Sequence, residues 1–396
     1  MGKIYTALGL MSGTSMDGVD ASIIQTDGKS KYKAILDKYF KYPESIYNDL
    51  TSLRDKIKTQ KDLKKHQKKI KIVEKDITIF HAESVDKILI KTKLKIDFIG
   101  LHGQTIFHNP ELKISKQLGD GKLLSKLTKK KVVYDFRQKD LKNNGQGAPL
   151  TPVFHQLLNK KLKNQIKTEA IFFVNIGGII NITNFSNSLE DKILLAGDIG
   201  PGMCLIDKLV RDNLDQRYDE NGKIAKSGNV NKSKLIKFQK KLEDGGVGKL
   251  REWIAFDNNI LSEGRYFRSL DIKEFDLSII KGLTLKDAVA TLTEFTSLII
   301  GKLHTRRSLR TTLILCGGGR KNKFLVQRVK KISKHLVAPY SSSIKLIDDY
   351  GINGDFVESQ AFGYLAVRSY LKLPISFPET TGCKKPTTGG VIIKNY

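Results

Sequence analysis

The run GLMSGTSMDGVD at 9–20 sets a turn of small residues between two apolar segments, and a similar turn returns about 160 residues later in the chain. Residues 3–10 read as a strand, and residues 19–25 as the strand that returns beside it. Gly13 and Gly18 tolerate positive φ, and the hydroxyls of Thr14 and Ser15 can donate. Successive backbone N–H groups in such a turn form a concave anion site that suits the phosphates of a nucleotide.

The later copy runs IFFVNIGGIINIT at 171–183, so that one apolar strand meets Gly177 and Gly178 and a second leaves. In both halves a third strand follows, over 33–40 and 192–196, and then a helix, from 43 onward and over 203–214. The first half continues with a strand at 96–101, an apolar-periodic stretch at 118–127, a short strand at 132–134 and a helix from 149. The second continues with a strand at 312–316, a helix from 322, a strand at 344–347 and a helix from 355. A three-stranded meander followed by alternating helices and strands describes one α/β unit used twice. Two such lobes predict an interlobe cleft with nucleotide bound in it. A third glycine element, LILCGGG at 313–319, runs a strand into Gly317 and Gly318, with Lys321 and Asn322 opening a helix. Glycines there let the backbone approach an adenine ring or ribose, and the helix start adds partial positive charge.

The 396 residues suffice for two lobes, each with its own core, and 40% apolar content fits a globular protein. Cys204, Cys316 and Cys383 lie far apart with no paired spacing, which argues against a disulfide framework or zinc site and for a reducing compartment. No run approaches the ~18 apolar residues of a spanning helix, and no basic segment precedes a long apolar one, so the expected location is cytoplasmic without a membrane partner. The formal charge of +28 raises nucleic-acid binding. Yet the densest stretch, 54–75, has no aromatic residue for base stacking. Leu63, His66, Ile70, Val73, Ile77 and Phe80 recur at the spacing of one helix face, and the lysines fall between them. That reads as a solvated helix surface, with His66 in the core and no specific nucleic-acid partner.

HExxH, GxxxxGK[ST] and GxSxG patterns are absent, so a zinc peptidase, an ordinary P-loop and a nucleophile-elbow hydrolase have no support. The chemistry-bearing groups at strand ends are Asp17, His102, Arg137, Asp198 and Glu358. Asp198 lies in AGDIGPG at 196–202, where three glycines leave room for a substrate. A carboxylate there can act as a general base, orient a nucleophile or help bind hydrated magnesium; the plainer alternative is a cap on the following helix. LHGQT at 101–105 supplies His102, Gln104 and Thr105, DFR at 135–137 supplies Arg137, and NGQGAPL at 144–150 forms a polar loop. These sit where the carboxyl ends of strands meet ligand in open α/β sheets, and Arg137 can fork onto a carboxylate or phosphate. Glu358, in FVESQA at 356–361, opens a helix, where it either touches substrate or favours the helix dipole.

Together with DDYGINGDFVESQAFGYLA at 348–366, these motifs make the chain resemble, over nearly its whole length, the anhydro-N-acetylmuramic acid kinases of the actin, hexokinase and Hsp70 superfamily. The resemblance implies duplicated ribonuclease-H-like (actin-like ATPase) lobes, ATP and Mg2+ as cofactors, and 1,6-anhydro-N-acetylmuramic acid, a peptidoglycan fragment, as substrate. It implies that water opens the anhydro bridge at C1 while O6 takes the γ-phosphoryl group. The family's base falls on Asp198. Its phosphate segment falls on Gly13, Thr14, Ser15, Met16, Asp17, Gly18, Val19 and Asp20, with Gly177, Gly178, Gly317 and Gly318 as further nucleotide contacts. His102, Gln104, Thr105, Arg137 and Glu358 are the expected sugar contacts.

Two departures stand out. Related sugar kinases carry Asp two residues before the Gly-Thr of the first phosphate turn, where this chain has Met11, and the family's common Asn after GPG is Met203 here. The expected lobes are 1–165 and 166–374, with 375–396 a tail packing back on the first. A homodimer is left open. The rival readings are another sugar or acetylhexosamine kinase of the same fold, an actin-like ATPase without a sugar substrate, and a polyanion-binding protein.

Overall fold

The computed structural model describes residues 2–186, 193–244, 269–270, 275, 277–304, 310–337 and 343–394. The chain forms two compact units, one of Met1–Leu158 with Asp355–Tyr396 and the other of Asn159–Gly354.

In the first unit β1 (Tyr5–Ser12), β2 (Gly18–Thr26) and β3 (Tyr32–Lys41) make an antiparallel meander. On the other side of β1, β4 (Phe98–Asn109) pairs in parallel; β5 (Ile114–Leu118) pairs antiparallel with β4, and β6 (Val132–Tyr134) joins β4 in parallel. All eight residues of β1 are buried, because helices cover both of its faces. On one face Leu8, Leu10, Ile23, Ile99 and Leu101 meet Leu50, Leu53, Ile70, Val73 and Ile77 of the helices Glu44–Lys56 and Gln67–Leu89. Each such buried aliphatic side chain contributes roughly 1.5–3 kcal/mol. On the other face the helix Val357–Tyr370 lies directly on the strands. A Cβ at Gly9 would sit 1.8 Å from the Ser359 carbonyl oxygen, and one at Gly100 would sit 2.2 Å from that of Phe362. The two glycines therefore let helix backbone touch sheet backbone.

In the second unit β7 (Ala170–Ile176), β8 (Ile179–Ser186) and β9 (Ile193–Pro201) form the meander, followed by β10 (Thr311–Cys316) parallel to β7 and β11 (Ser343–Leu346) parallel to β10. The orders β6-β4-β1-β2-β3 and β11-β10-β7-β8-β9 match strand for strand. This is the ribonuclease-H-like topology used twice, the actin-like class expected from the motifs. Phe172, Val174, Ile180, Ile182, Leu313 and Leu315 pack against Ile206, Val210, Leu292, Phe295, Ile299, Leu325 and Val329 of three helices, Cys204–Asn213, Leu285–Gly301 and Lys323–Val337.

The structure corrects three expectations. Residues 355–374, placed in the second half by sequence order, belong to the first unit, since the helix Val357–Tyr370 packs on β1, β2 and β4; the first unit's opening segment likewise ends at Leu158 rather than 165. The C-terminal strand Val391–Ile393 pairs antiparallel with β6. The apolar stripe from Leu63 to Phe80 spans two helices, Gln60–Lys65 and Gln67–Leu89. His66 stands half-exposed at the break, just before the second helix, and is not a core residue. Neither Gly13 nor Gly18 has positive φ; the left-handed residue of the turn is Met16, at φ 58°. Gly18 is small because a Cβ there would meet the Phe40 carbonyl oxygen at 2.4 Å. The expected strand residue Lys192 lies outside the described residues.

The lysines of the basic stretch are exposed while Ile70, Val73 and Ile77 are buried, the arrangement of a solvated helix face. Among the described residues no helix is long and apolar enough to cross a membrane.

Candidate active site

In the first unit the turn from Gly13 to Asp17 projects from the paired ends of β1 and β2. Its Thr14 and Ser15 are exposed, and the Ser15 hydroxyl donates to the Asp17 carboxylate at 2.5 Å. The Met16 side chain is buried, and its N–H closes the turn on the Gly13 carbonyl at 3.1 Å. A Cβ at Gly13 would meet nothing nearer than the Ser15 Oγ at 4.0 Å, so the space over this residue is open to a ligand. Val19 is fully buried in β2, so only its backbone can face a ligand, while Asp20 is half-buried opposite Met11.

Beneath the turn, the Ser12 hydroxyl donates to the Gln104 Oε1 at 2.7 Å, lies 3.0 Å from the Gly18 carbonyl, and accepts from the Tyr42 hydroxyl at 3.1 Å. Gln104 is thus buried as a brace under the turn. Thr105 is half-buried and accepts from the Gln117 Nε2 at 3.2 Å.

His102, Arg137 and Glu358 are brought together by β4, by the segment after β6 and by the helix Val357–Tyr370. The His102 Nδ1 lies 2.8 Å from the Gly103 carbonyl, and its Nε2 lies 2.8 Å from the Arg137 Nη2. With Nδ1 as the donor, Nε2 offers a lone pair to the guanidinium. Burial, and then the Arg137 charge, hold the His102 pKa well below the ordinary histidine value, so the ring is neutral. The ring also packs on Phe362 at 4.5 Å between centroids. The Arg137 Nη1 donates to the Gly147 carbonyl at 3.1 Å. Asp140 holds the preceding peptide of the same glycine by accepting from the Gly147 N–H at 2.7 Å, and it also accepts from the Ser376 and Thr381 hydroxyls. Burial raises the Glu358 carboxyl pKa, and the positive charge of Arg137 partly offsets this.

In the second unit Asp198 sits within β9, three residues before its end, and does not cap the next helix. Its carboxylate Oδ2 accepts from the Leu270 N–H at 2.8 Å and from the Ser269 hydroxyl at 3.3 Å, and the residue is 8% exposed. The cross-strand register places Asn175, Asn181 and Asp198 in one row across β7, β8 and β9. Ile180, Ile182 and Ile199, their chain neighbours, point into the apolar core on the opposite face. The carbonyls of Gly177 and Gly178 accept from the N–H groups of Met203 and Gly202, both at 2.9 Å. They pin the β7–β8 turn to the start of the helix Cys204–Asn213. The Met203 side chain, where the family commonly has Asn, joins the apolar core.

Gly317 has φ 78°, and a Cβ there would fall 2.3 Å from the Asn175 Oδ1, so this residue brings the glycine run against the polar row. Gly318 is exposed, with nothing near its Cβ position. Sequence reasoning missed Arg320 and Asp348, which hold this loop. Arg320 is buried; it forks onto the Asp348 carboxylate at 2.7 and 2.8 Å and donates to the Gly317 carbonyl at 3.0 Å. These hydrogen bonds, opposed in part by burial, lower the Asp348 pKa. The only available signal was an Arg directly after the glycine run. Asn322 caps the next helix by accepting from the Leu325 N–H at 3.0 Å.

The anhydro-N-acetylmuramic acid kinase family model matches residues 5–395. A protein of that name from Pelagibacter ubique is 48% identical over 404 residues, covering all of both chains. Namesakes from Agrobacterium fabrum and Brucella canis are 34% and 35% identical over 398 residues, again at full coverage. Among solved structures, a 2-hydroxyisocaproyl-CoA dehydratase activator from Clostridium difficile with bound ADPNP aligns at TM-score 0.41 and 12% identity, covering 93% of this chain and 96% of that one. A ROK family glucokinase from Streptomyces griseus aligns at TM-score 0.37 and 9% identity, covering 91% and 99%. With the duplicated topology, the glycine turns and a full-length match to named relatives in place, this chain belongs to the anhydro-N-acetylmuramic acid kinase family.

Proposed function

We propose that this chain carries out the reaction for which its family is named, the ATP-dependent opening and phosphorylation of 1,6-anhydro-N-acetylmuramic acid. The observation that carries the reading is the full-length family match together with Asp198, a carboxylate aimed by one backbone N–H. Asp198 takes a proton from water as the water oxygen bonds to C1 and the C1–O6 bond breaks. The released O6 attacks the γ-phosphorus in line, and ADP leaves. N-acetylmuramic acid 6-phosphate is the product, and the proton passes from Asp198 to solvent.

In the first unit, Gly13 to Asp20 supply the N–H groups and hydroxyls for a phosphate tail, and the open space over Gly13 fits one. In the second, Gly177, Gly178, Gly317 and Gly318 offer backbone to the nucleotide. Magnesium brought in with ATP would supply charge neutralisation on the transferred group. Asp198 would help hold its hydration shell. Arg137, aligned by His102 and Gly147, offers its charge to the sugar's lactyl carboxylate, and Glu358 stands beside it. Thr105 is a further sugar contact, and Gln104 acts by holding Ser12 under the turn.

The test is turnover in ¹⁸O-labelled water, with products read by mass spectrometry before the anomeric centre exchanges. The label is expected at the anomeric position and not in the phosphate ester. Preference for ordinary N-acetylglucosamine, with no anomeric label from the anhydro sugar, would overturn the reading.

A further inference from the structure

Asn181 and Asp198 are directly paired across β8 and β9, so their side chains leave the sheet on the same face. The Asn181 Oδ1 is buried and, among the described residues, has no hydrogen-bond partner. A buried amide oxygen without a donor is costly, and one paired across the sheet with a carboxylate is placed to be completed by a donor bound beside that carboxylate. Leu270 and Ser269 hold the Asp198 carboxylate from one side, and Asn175 continues the polar row beyond Asn181.

We propose that Asn181 is a further catalytic residue, whose Oδ1 accepts the second proton of the water that Asp198 activates. This rests on the function proposed above. Water carries two O–H groups, and a base accounts for only one. In a site shielded from solvent the other needs its own acceptor, and the acceptor fixes the direction in which the remaining lone pair points. Asn181 is the neighbour on the same face of the sheet with an oxygen to spare. It stays neutral, so it orients the nucleophile without competing for the proton. The step balances: the water oxygen bonds to C1 as C1–O6 breaks, one proton goes to Asp198, and the other stays on the new anomeric hydroxyl, still hydrogen-bonded to Asn181.

Methanol tests this, because it carries a single O–H group. Once that proton goes to Asp198, methanol has nothing to donate to Asn181, so the wild type favours water over methanol more strongly than a variant without the acceptor. Asn181→Leu matches the side chain in size and removes the oxygen. In mixed water and methanol its ratio of methyl glycoside 6-phosphate to free sugar phosphate should rise roughly tenfold, the rate equivalent of one hydrogen bond. Its kcat in water should fall by at least that factor, with KM for the sugar changed less than about threefold. If Asn181→Leu does not fold, Asn181→Ala is read by the same product ratio. A product ratio equal to the wild type's would overturn the proposal, and so would a rise in KM alone, which would assign Asn181 to a sugar hydroxyl. Asp198→Asn separates the two claims. Loss of turnover there with an unchanged ratio in Asn181→Leu sinks only the role of Asn181, whereas full turnover in Asp198→Asn removes the base and this inference with it.

Discussion

The Nε2 of His102 lies 2.8 Å from the Nη2 of Arg137, which makes a neutral histidine the partner of a half-buried cation. The pairing works because burial and the arginine charge both oppose protonation of the ring. The neutral ring aligns the guanidinium, and under the function proposed above that aligned charge meets an anionic group of the substrate.

Arg137→Lys keeps the charge but cannot reach both His102 and the Gly147 carbonyl. KM for the anhydro sugar should rise about tenfold, with ATP affinity unchanged, because a lost charged hydrogen bond amounts to roughly 1.5–3 kcal/mol. Initial rates against each substrate separate the two effects.

Acid should unfold the first unit well before carboxylate protonation would. His81, His102 and His155 are buried, and burial lowers the pKa of each, to about 4 for His81 and about 3 for His155. Below the unfolded value of about 6.5 the unfolded chain binds protons that the folded chain does not, so stability present near neutrality is lost as pH falls. Three such groups give a slope of up to about 4 kcal/mol per pH unit between about pH 6 and 4. Urea melts at stepped pH measure it, and a midpoint that does not move from pH 7 to 5 would contradict the assignment of neutral rings.

Gly9 and Gly13 lie in one motif yet should respond oppositely to substitution. Gly9→Ala drives a methyl into the Ser359 carbonyl and should cost about 3 kcal/mol or more of stability, visible as a lowered melting temperature. Gly13→Val meets open space, so the fold should survive while ATP affinity falls. Calorimetry with ATP and thermal melts on both variants give the pair of readings.

Much of this was legible in the sequence. The two meanders and their glycine turns follow from apolar runs broken by small residues, a signal local enough to read, whereas β9 runs on through the glycines to Pro201 and takes Asp198 inside the strand. The home of the helix Val357–Tyr370 was not legible, because it is set by Gly9 and Gly100, some 250 to 350 positions earlier, whose missing side chains read equally well as turn formers. Gln104 read as facing ligand, but Ser12, 92 residues away, claims its oxygen. Arg320 and Asp348 escaped notice since an ion pair closed over 28 residues leaves no periodic trace. His66 was misplaced because a 3–4 spacing continues through a helix break without change.

The central claim is that Asp198 is the base, and Asp198→Asn tests it most directly. The amide cannot take the proton, so kcat should fall roughly 10²–10⁴-fold while calorimetry shows ATP still bound. Turnover within a few-fold of the wild type would contradict the account.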